Sequence, residues 1–228
     1  MNYNLYTVKI EIMKNNSYHH GDLKNALIKA GTEILAKNGV GGLSLRKVAK
    51  KAGVSHAAPY AHFADKQALI AAISTEGFRQ LYEQVVAVTA RYENDPARQL
   101  LETAWTYVQF AMKDPDQFKI MFSSVLEKEK EYSDFVEMSQ KAFRQVVAIV
   151  MSCQEAGVLQ EGPGELTAVT TWSAVHGLIA LLLEGQIPRA VLEQFSLRQM
   201  LIFTLNQLCR LGFSFADLPV GSFDGTAH

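Results

Sequence analysis

An all-α protein is expected from three features of this 228-residue chain. Apolar residues recur at helical spacing over most of its length. Helix-start signals, Asp-Pro pairs or a Ser or Asp before an apolar stripe, punctuate it. Beyond residue 13 no stretch alternates as a strand does. About nine helices with short connections follow, arranged as an N-terminal three-helix helix-turn-helix domain and a C-terminal helical bundle.

The elements read in order as follows. In residues 1–13, Tyr6, Val8, Ile10 and Ile12 alternate with polar residues. This is the one β-like pattern, expected as an extension (residues 1–18) outside the core or as an upstream start with Met13 as the true beginning; a packed arm is the alternative. Gly21-Asp22 opens the first helix, whose stripe is Leu23, Ala26, Leu27, Ala30, Ile34 and Leu35, and Asn38-Gly39 ends it. Gly41-Gly42 forms a loop, and Ser44 caps a helix over 45–52. Ser55 caps a third over 56–63. Asp65 caps a long one reaching about residue 90. Asp95-Pro96 and Asp114-Pro115 start two more, the second running through Phe122. Helices over 133–155, 164–185 and 192–211 complete the chain, and the tail after Gly212 is expected to fray.

Composition narrows the function classes. With 48% hydrophobic and 20% charged residues, the chain has an ordinary globular make-up. Its net charge of −1 hides a division. Residues 14–80 carry ten Lys/Arg and four Asp/Glu, whereas residues 81–228 carry eleven and eighteen. A basic first third suggests that this part alone faces a polyanion. Cys153 and Cys209 offer neither a zinc spacing nor a disulfide framework, so no metal is expected and a reducing cytoplasm is the default. No continuous apolar run is long enough to cross a bilayer, and the N-terminus lacks signal-peptide features, so no membrane partner is expected. There is no G-x-S-x-G, H-E-x-x-H or phosphate-cradling glycine loop, so neither an enzyme nor a cofactor is expected.

The informative stretch is 44–66, SLRKVAKKAGVSHAAPYAHFADK. Ala49, four residues before Gly53, lets a second helix cross closely, and Gly53 permits the φ > 0 turn that redirects the chain. Val54 then enters the core. A pair of helices crossed in this way and carrying this charge suits the DNA major groove. Ser55, His56, Ala57 and Ala58 sit where base edges are reached; alanine methyls match thymine methyls, and Ser55 or His56 can hydrogen-bond. Tyr60, His62 and Lys66 suit phosphates, as do Ser44 and the free N–H groups behind it. Arg46 reaches a phosphate or a guanine edge. Pro59 removes at most one hydrogen bond near the start of the third helix.

The segment GLSLRKVAKKAGVSHAAPYAHFADKQALI resembles the DNA-binding domain of the tetracycline-repressor (TetR) family of bacterial regulators, chiefly in its G-V-S, Y-x-H-F and D-K-x-x-L-I pieces. The resemblance covers about residues 19–79, leaving 80–228 as a ligand-binding and dimerisation domain. YHHGDLKNAL and WSAVHGLIALLLEGQI further resemble a subgroup with a Trp…His-Gly signature, here Trp172, His176 and Gly177. It implies a homodimeric repressor that binds a palindromic double-stranded operator and releases it when a small molecule binds. It also assigns Tyr60, His62 and Lys66 to phosphates, and Arg46 and residues 55–58 to bases. Family members often place a longer polar residue near Ala57 or Ala58, so two alanines shift readout toward methyl contacts or DNA shape.

In the larger domain, Trp105, Phe110, Met112, Phe118, Met121, Phe122, Trp172 and His176 are the candidate contacts of a largely apolar effector. Each reads first as a packed core residue, and His176 as a hydrogen-bonded core histidine. The helices near 164–185 and 192–211 are apolar enough to pair with a second copy in a four-helix bundle, or to be central core helices. The alternative function from another class is a helical small-molecule-binding protein or enzyme with a non-functional DNA unit.

Overall fold

The computed structural model describes residues 20–122, 126, 131–210 and 212–214. The β-like segment and most of the tail lie outside the described residues. Within them the protein is all-α, with nine α-helices and one 3-10 turn.

The N-terminal unit consists of α1 (His20–Gly42), α2 (Leu45–Ala52), a 3-10 turn (Ala58–Ala61) and the first turns of α3 (Lys66–Arg91). Gly39, at φ 62° and ψ −176°, interrupts α1 where Asn38-Gly39 was expected to end it. Ser44 caps α2 by accepting the Lys47 N–H at 3.3 Å, and Asp65 caps α3 by accepting the Ala68 N–H at 2.8 Å. Leu27, Leu35, Val48, Leu69, Ile70 and Ile73, each essentially fully buried, are the center of this unit. α1 and α3 approach closely at Gly31, where an added Cβ would lie 2.8 Å from Ile73 Cδ1.

The C-terminal bundle contains α4 (Pro96–Lys113), α5 (Pro115–Met121), α6 (Ser133–Glu155), α7 (Gly164–Leu183), α8 (Arg189–Gln194) and α9 (Leu197–Asn206). Asp95 and Asp114 cap α4 and α5, each with proline at the first position. α3 belongs to both halves: it packs on α1 at its start and on α4, α5 and most extensively α6 along its length. α5 also packs on α1, so two elements join the halves. Cys153 and Cys209 are free thiols, and Cys153 donates to the Pro96 carbonyl at 3.1 Å.

Three expectations need correction. The helix expected over 56–63 is a 3-10 turn, with hydrogen bonds from Ala58 N to Ser55 O, Tyr60 N to Ala57 O and His62 N to Pro59 O. Pro59 has no N–H to give the Ser55 carbonyl, so that oxygen is taken one residue earlier and the tighter winding results. The single helix over 192–211 is two helices, because Ser196 forms a capping box with Gln199 and restarts the chain after Phe195. Finally, α7 is long and apolar enough to cross a membrane, with a mean hydropathy of 1.7 over its best window, although no continuous apolar run signals it. It packs on α4, α6 and α9 and buries Ala168, Thr171, Val175 and Ile179. Leu166, Val169 and Leu181 on its outer side remain exposed.

Candidate nucleic-acid interface and ligand cavity

The turn after α2 is built from backbone. Gly53, at φ 71°, donates to Lys50 O, and Val54 N donates to Ala49 O at 3.0 Å. This pair of bonds closes the helix C-terminus and sends the chain back across it. Leu45, Val48 and Ala49 face inward, which leaves Arg46, Lys47, Lys50 and Lys51 exposed on the other side of α2. Ser55, His56 and Ala57 are exposed beyond the turn, Ala58 is half-buried, and Tyr60 stands out from the surface. Pro59 and Phe63 anchor this edge from below. The stretch 44–60 thus presents one cationic and hydroxyl-bearing face.

The cations on this face differ in commitment. Lys51 pairs with Glu33 at 2.6 Å, and Lys47 Nζ donates to the Gly42 carbonyl at 2.9 Å. Lys66 Nζ donates to the Val40 carbonyl at 2.6 Å, tying the start of α3 to the end of α1. Arg46 and Lys50, one turn apart on α2, make no ion pair with any described residue. An ammonium has three protons, so Lys66 keeps two for other acceptors, a phosphate among them if the expected role holds. Lys66→Ala is therefore expected to cost about 1–2 kcal/mol of stability and to weaken binding to all DNA sequences alike, lowering the salt slope by about one. Denaturant titration and anisotropy across a salt series measure the two effects, and a loss confined to one base pair would contradict the phosphate role.

A cavity of about 780 Å³, partly open to solvent, lies between α3, α4, α6 and α7. Helix phase decides its walls. Phe78, Leu81, Tyr82 and Val85 come from α3, Leu100, Thr103, Ala104 and Tyr107 from α4, and Phe143, Val146 and Val147 from α6. Of the eight expected ligand contacts, Phe122 and Trp172 line this space. His176 and Phe118 border a neighbouring small cavity instead. Trp105, Phe110 and Met112 lie off the cavity face of α4, and Met121 packs against α3 at Gly77. The α3 stripe at 78, 81, 82 and 85 is visible in the sequence, but only packing separates a cavity wall from a core face.

One polar chain runs through this apolar region. Trp172 Nε1–H donates to the Tyr107 hydroxyl at 3.0 Å, and that hydroxyl lies 2.7 Å from His176 Nδ1. Phe118 stacks on the His176 ring at 5.4 Å. Burial holds the His176 pKa below the usual 6.5; Lys119 and Glu184, paired at 2.8 Å, are the charged groups nearby. Below pH 6.5 the unfolded chain therefore binds more protons here than the folded one. Stability is expected to fall as pH drops from about 6.5 through the depressed value. Unfolding free energies between pH 5 and 7.5 test this, and the acid loss should shrink in His176→Gln.

Comparison with known proteins agrees with this layout. The family model described as bacterial regulatory proteins, tetR family, matches residues 27–73. The model described as tetracyclin repressor-like, C-terminal domain, matches residues 100–202. An uncharacterized HTH-type transcriptional regulator of Bacillus subtilis, YobS, is 29% identical over 111 residues; the match spans 49% of this chain and 57% of that relative. A Rhodococcus protein of unknown function superposes with a TM-score of 0.69 at 28% identity, covering 86% of this chain and all of that one. The TetR-family regulator PfmR of Thermus thermophilus shares the fold, with a TM-score of 0.56 at 18% identity over 68% of this chain and 84% of its own. Two models of one family, matched in chain order to the turn-bearing unit and to the cavity-bearing bundle, make this chain a member of the tetracycline-repressor (TetR) family of bacterial regulatory proteins.

Proposed function

We propose that the protein is a DNA-binding transcriptional regulator, a homodimeric repressor of a palindromic operator that a small, largely apolar effector releases. One observation carries this reading. α3 starts against the DNA-facing unit, tied by Lys66 to Val40, and its later turns form a wall of the large cavity. An effector in the cavity thus touches the helix that positions the reading turn. It acts by binding the DNA-incompetent arrangement more tightly. Residues 19–79 serve DNA, with Arg46 and residues 55–58 at bases and Ser44, Tyr60, His62 and Lys66 at phosphates; residues 80–228 serve the effector and the dimer. Trp172, His176 and Gly177 support placement in the Trp…His-Gly subgroup. The role is regulatory rather than enzymatic, and its place is the cytoplasm.

The test is DNA binding by the full chain, measured by anisotropy on the promoter beside its own gene. Salt-sensitive binding that exceeds binding to a scrambled duplex supports the reading. Equal affinity for both duplexes would sink it.

The second copy has a face to meet. Leu166 and Phe203 are 65% and 67% exposed, and Val169, Leu181 and Phe195 are also open. They lie on α7, α9 and the link before α9, the segments expected to pair. Such pairing sets two reading turns roughly 34–36 Å apart, or a multiple of that. Phe203→Asp is expected to yield a monomer by analytical ultracentrifugation and to weaken operator binding about 100-fold through lost bivalency. An unchanged sedimentation coefficient would exclude this face.

A further inference from the structure

Beside the large cavity lies a smaller one of about 150 Å³, bordered by Phe118, Lys119, Phe122, His176, Leu183 and Glu184. Two side chains connect the pair. Phe122 borders both spaces. Tyr107 borders the large one and meets His176, which borders the small one.

The hydrogen-bond chain through Tyr107 fixes the tautomer of His176. An indole N–H only donates, so the Tyr107 oxygen accepts from Trp172. The phenol has one proton of its own, and His176 Nδ1 at 2.7 Å is its acceptor. The opposite tautomer would aim Nδ1–H at an oxygen and strand the buried phenol proton, a costly outcome. The neutral imidazole therefore carries its proton on Nε2. Phe118, stacked at 5.4 Å, and Phe122, edge-on at 4.9 Å, hold the ring in place. Nε2–H is a fixed donor with no acceptor among the described residues.

The surroundings select the complementary group. No charged side chain lines the interior of the large cavity; Arg144 and Glu165 border it only from exposed positions. On the small cavity Glu184 is already paired with Lys119. Lys119 and Glu184 offset each other's charge, so the one polar group at this cavity left without a partner among the described residues is the His176 N–H, which takes an oxygen acceptor and offers nothing to a donor-only head. The large cavity, at roughly 30 Å³ per water-sized atom, holds about 25 non-hydrogen atoms.

Resting on the regulator reading above, we propose that the effector is an acyl amphiphile. Its carbonyl or carboxylate oxygen accepts the His176 Nε2–H in the small cavity, and its apolar body fills the large one. Phe122, the shared wall, turns aside to join the two. It closes α5, which packs on α1, so the same rotation reaches the DNA-facing half.

Decanoate, 2-decanone and decylammonium serve as matched probes, titrated calorimetrically into the DNA-free protein. At least one of the two acceptor probes is expected to bind about tenfold more tightly than decylammonium. Both binding identifies a carbonyl as sufficient; decanoate alone identifies a carboxylate, with Lys119 as its second donor. In His176→Phe the gap should fall below twofold. Nitrogen-15 spectra of the wild-type histidines, with His176 assigned through its contacts to Tyr107 and Phe118, should show protonated Nε2 that shifts with acceptor probes only. These spectra decide the matter if His176→Phe does not fold. Equal binding of decylammonium, a gap that survives in His176→Phe, or protonated Nδ1 would overturn the proposal. Operator binding is measured separately on the same preparation. Its loss with the acceptor preference intact counts against the regulator reading alone.

Discussion

Valine in place of Gly53 is expected to abolish operator binding and to lower stability by about 2 kcal/mol or more. The residue sits at φ 71°, in left-handed backbone that a β-branched side chain strongly resists. A Cβ there would meet nothing within 4 Å, so the penalty is conformational rather than steric. The chain can relieve it only by opening the bonds from Gly53 N to Lys50 O and from Val54 N to Ala49 O. Opening them releases residues 55–60 from α2 and breaks up the surface proposed to meet DNA. Gly53→Asn is the control, since asparagine tolerates this conformation, and should lose under about 1 kcal/mol. Chemical denaturation and anisotropy read both effects. A valine protein as stable as wild type and still bound to its operator would show that the turn does not set the reading geometry.

Tyr107→Phe is expected to destabilise the bundle by about 1–3 kcal/mol while leaving the DNA-facing unit competent. The ring stays, so its edge contacts with Phe118 at 5.2 Å and Phe122 at 6.1 Å persist. Only the hydroxyl goes, but it serves two partners. Its loss leaves Trp172 Nε1–H and His176 Nδ1 without the bonds they make in the wild type. The melting temperature should fall by roughly 2–4 °C per kcal/mol for a chain of this size. Operator affinity of the folded protein should stay within about twofold, because the hydroxyl's partners, Trp172 and His176, both belong to the bundle. An unchanged melting temperature would mean that the hydroxyl bonds carry no net stability.

Sequence reading succeeded where the determinant is local. Ser44, Asp65, Asp95 and Asp114 each accept a backbone N–H three residues on; the first two were legible as caps and the last two, with the prolines that follow them, as helix starts. The span of α6, Ser133–Glu155, was also legible, because its apolar stripe and the glycine beyond it are features of one segment. Two errors were local as well. Pro59 lies too deep in its segment for an α-helix to form, and the Ser196–Gln199 capping box went unread. The cavity was hidden for a different reason. Its walls depend on which faces of α3, α4, α6 and α7 meet, and an aromatic residue reads the same whether it fills a core or lines a void. The commitment of Lys66 to Val40, 26 positions away in the chain, was likewise beyond any sequence window. On α2 the exposed residues Arg46, Lys47, Lys50 and Lys51 were legible, since exposure on a short basic helix follows from its period.

The placement of the two tryptophans, the only ones in the chain, has an optical consequence. Trp172 borders the large cavity and holds its indole N–H against a hydroxyl, whereas Trp105 is buried elsewhere in the bundle. Occupancy of the cavity should change the polarity around one indole and leave the other in its own surroundings. A Trp105→Phe protein would then carry a single built-in fluorophore at the cavity wall. Its emission maximum would report cavity filling in real time, without an added label and with no DNA present.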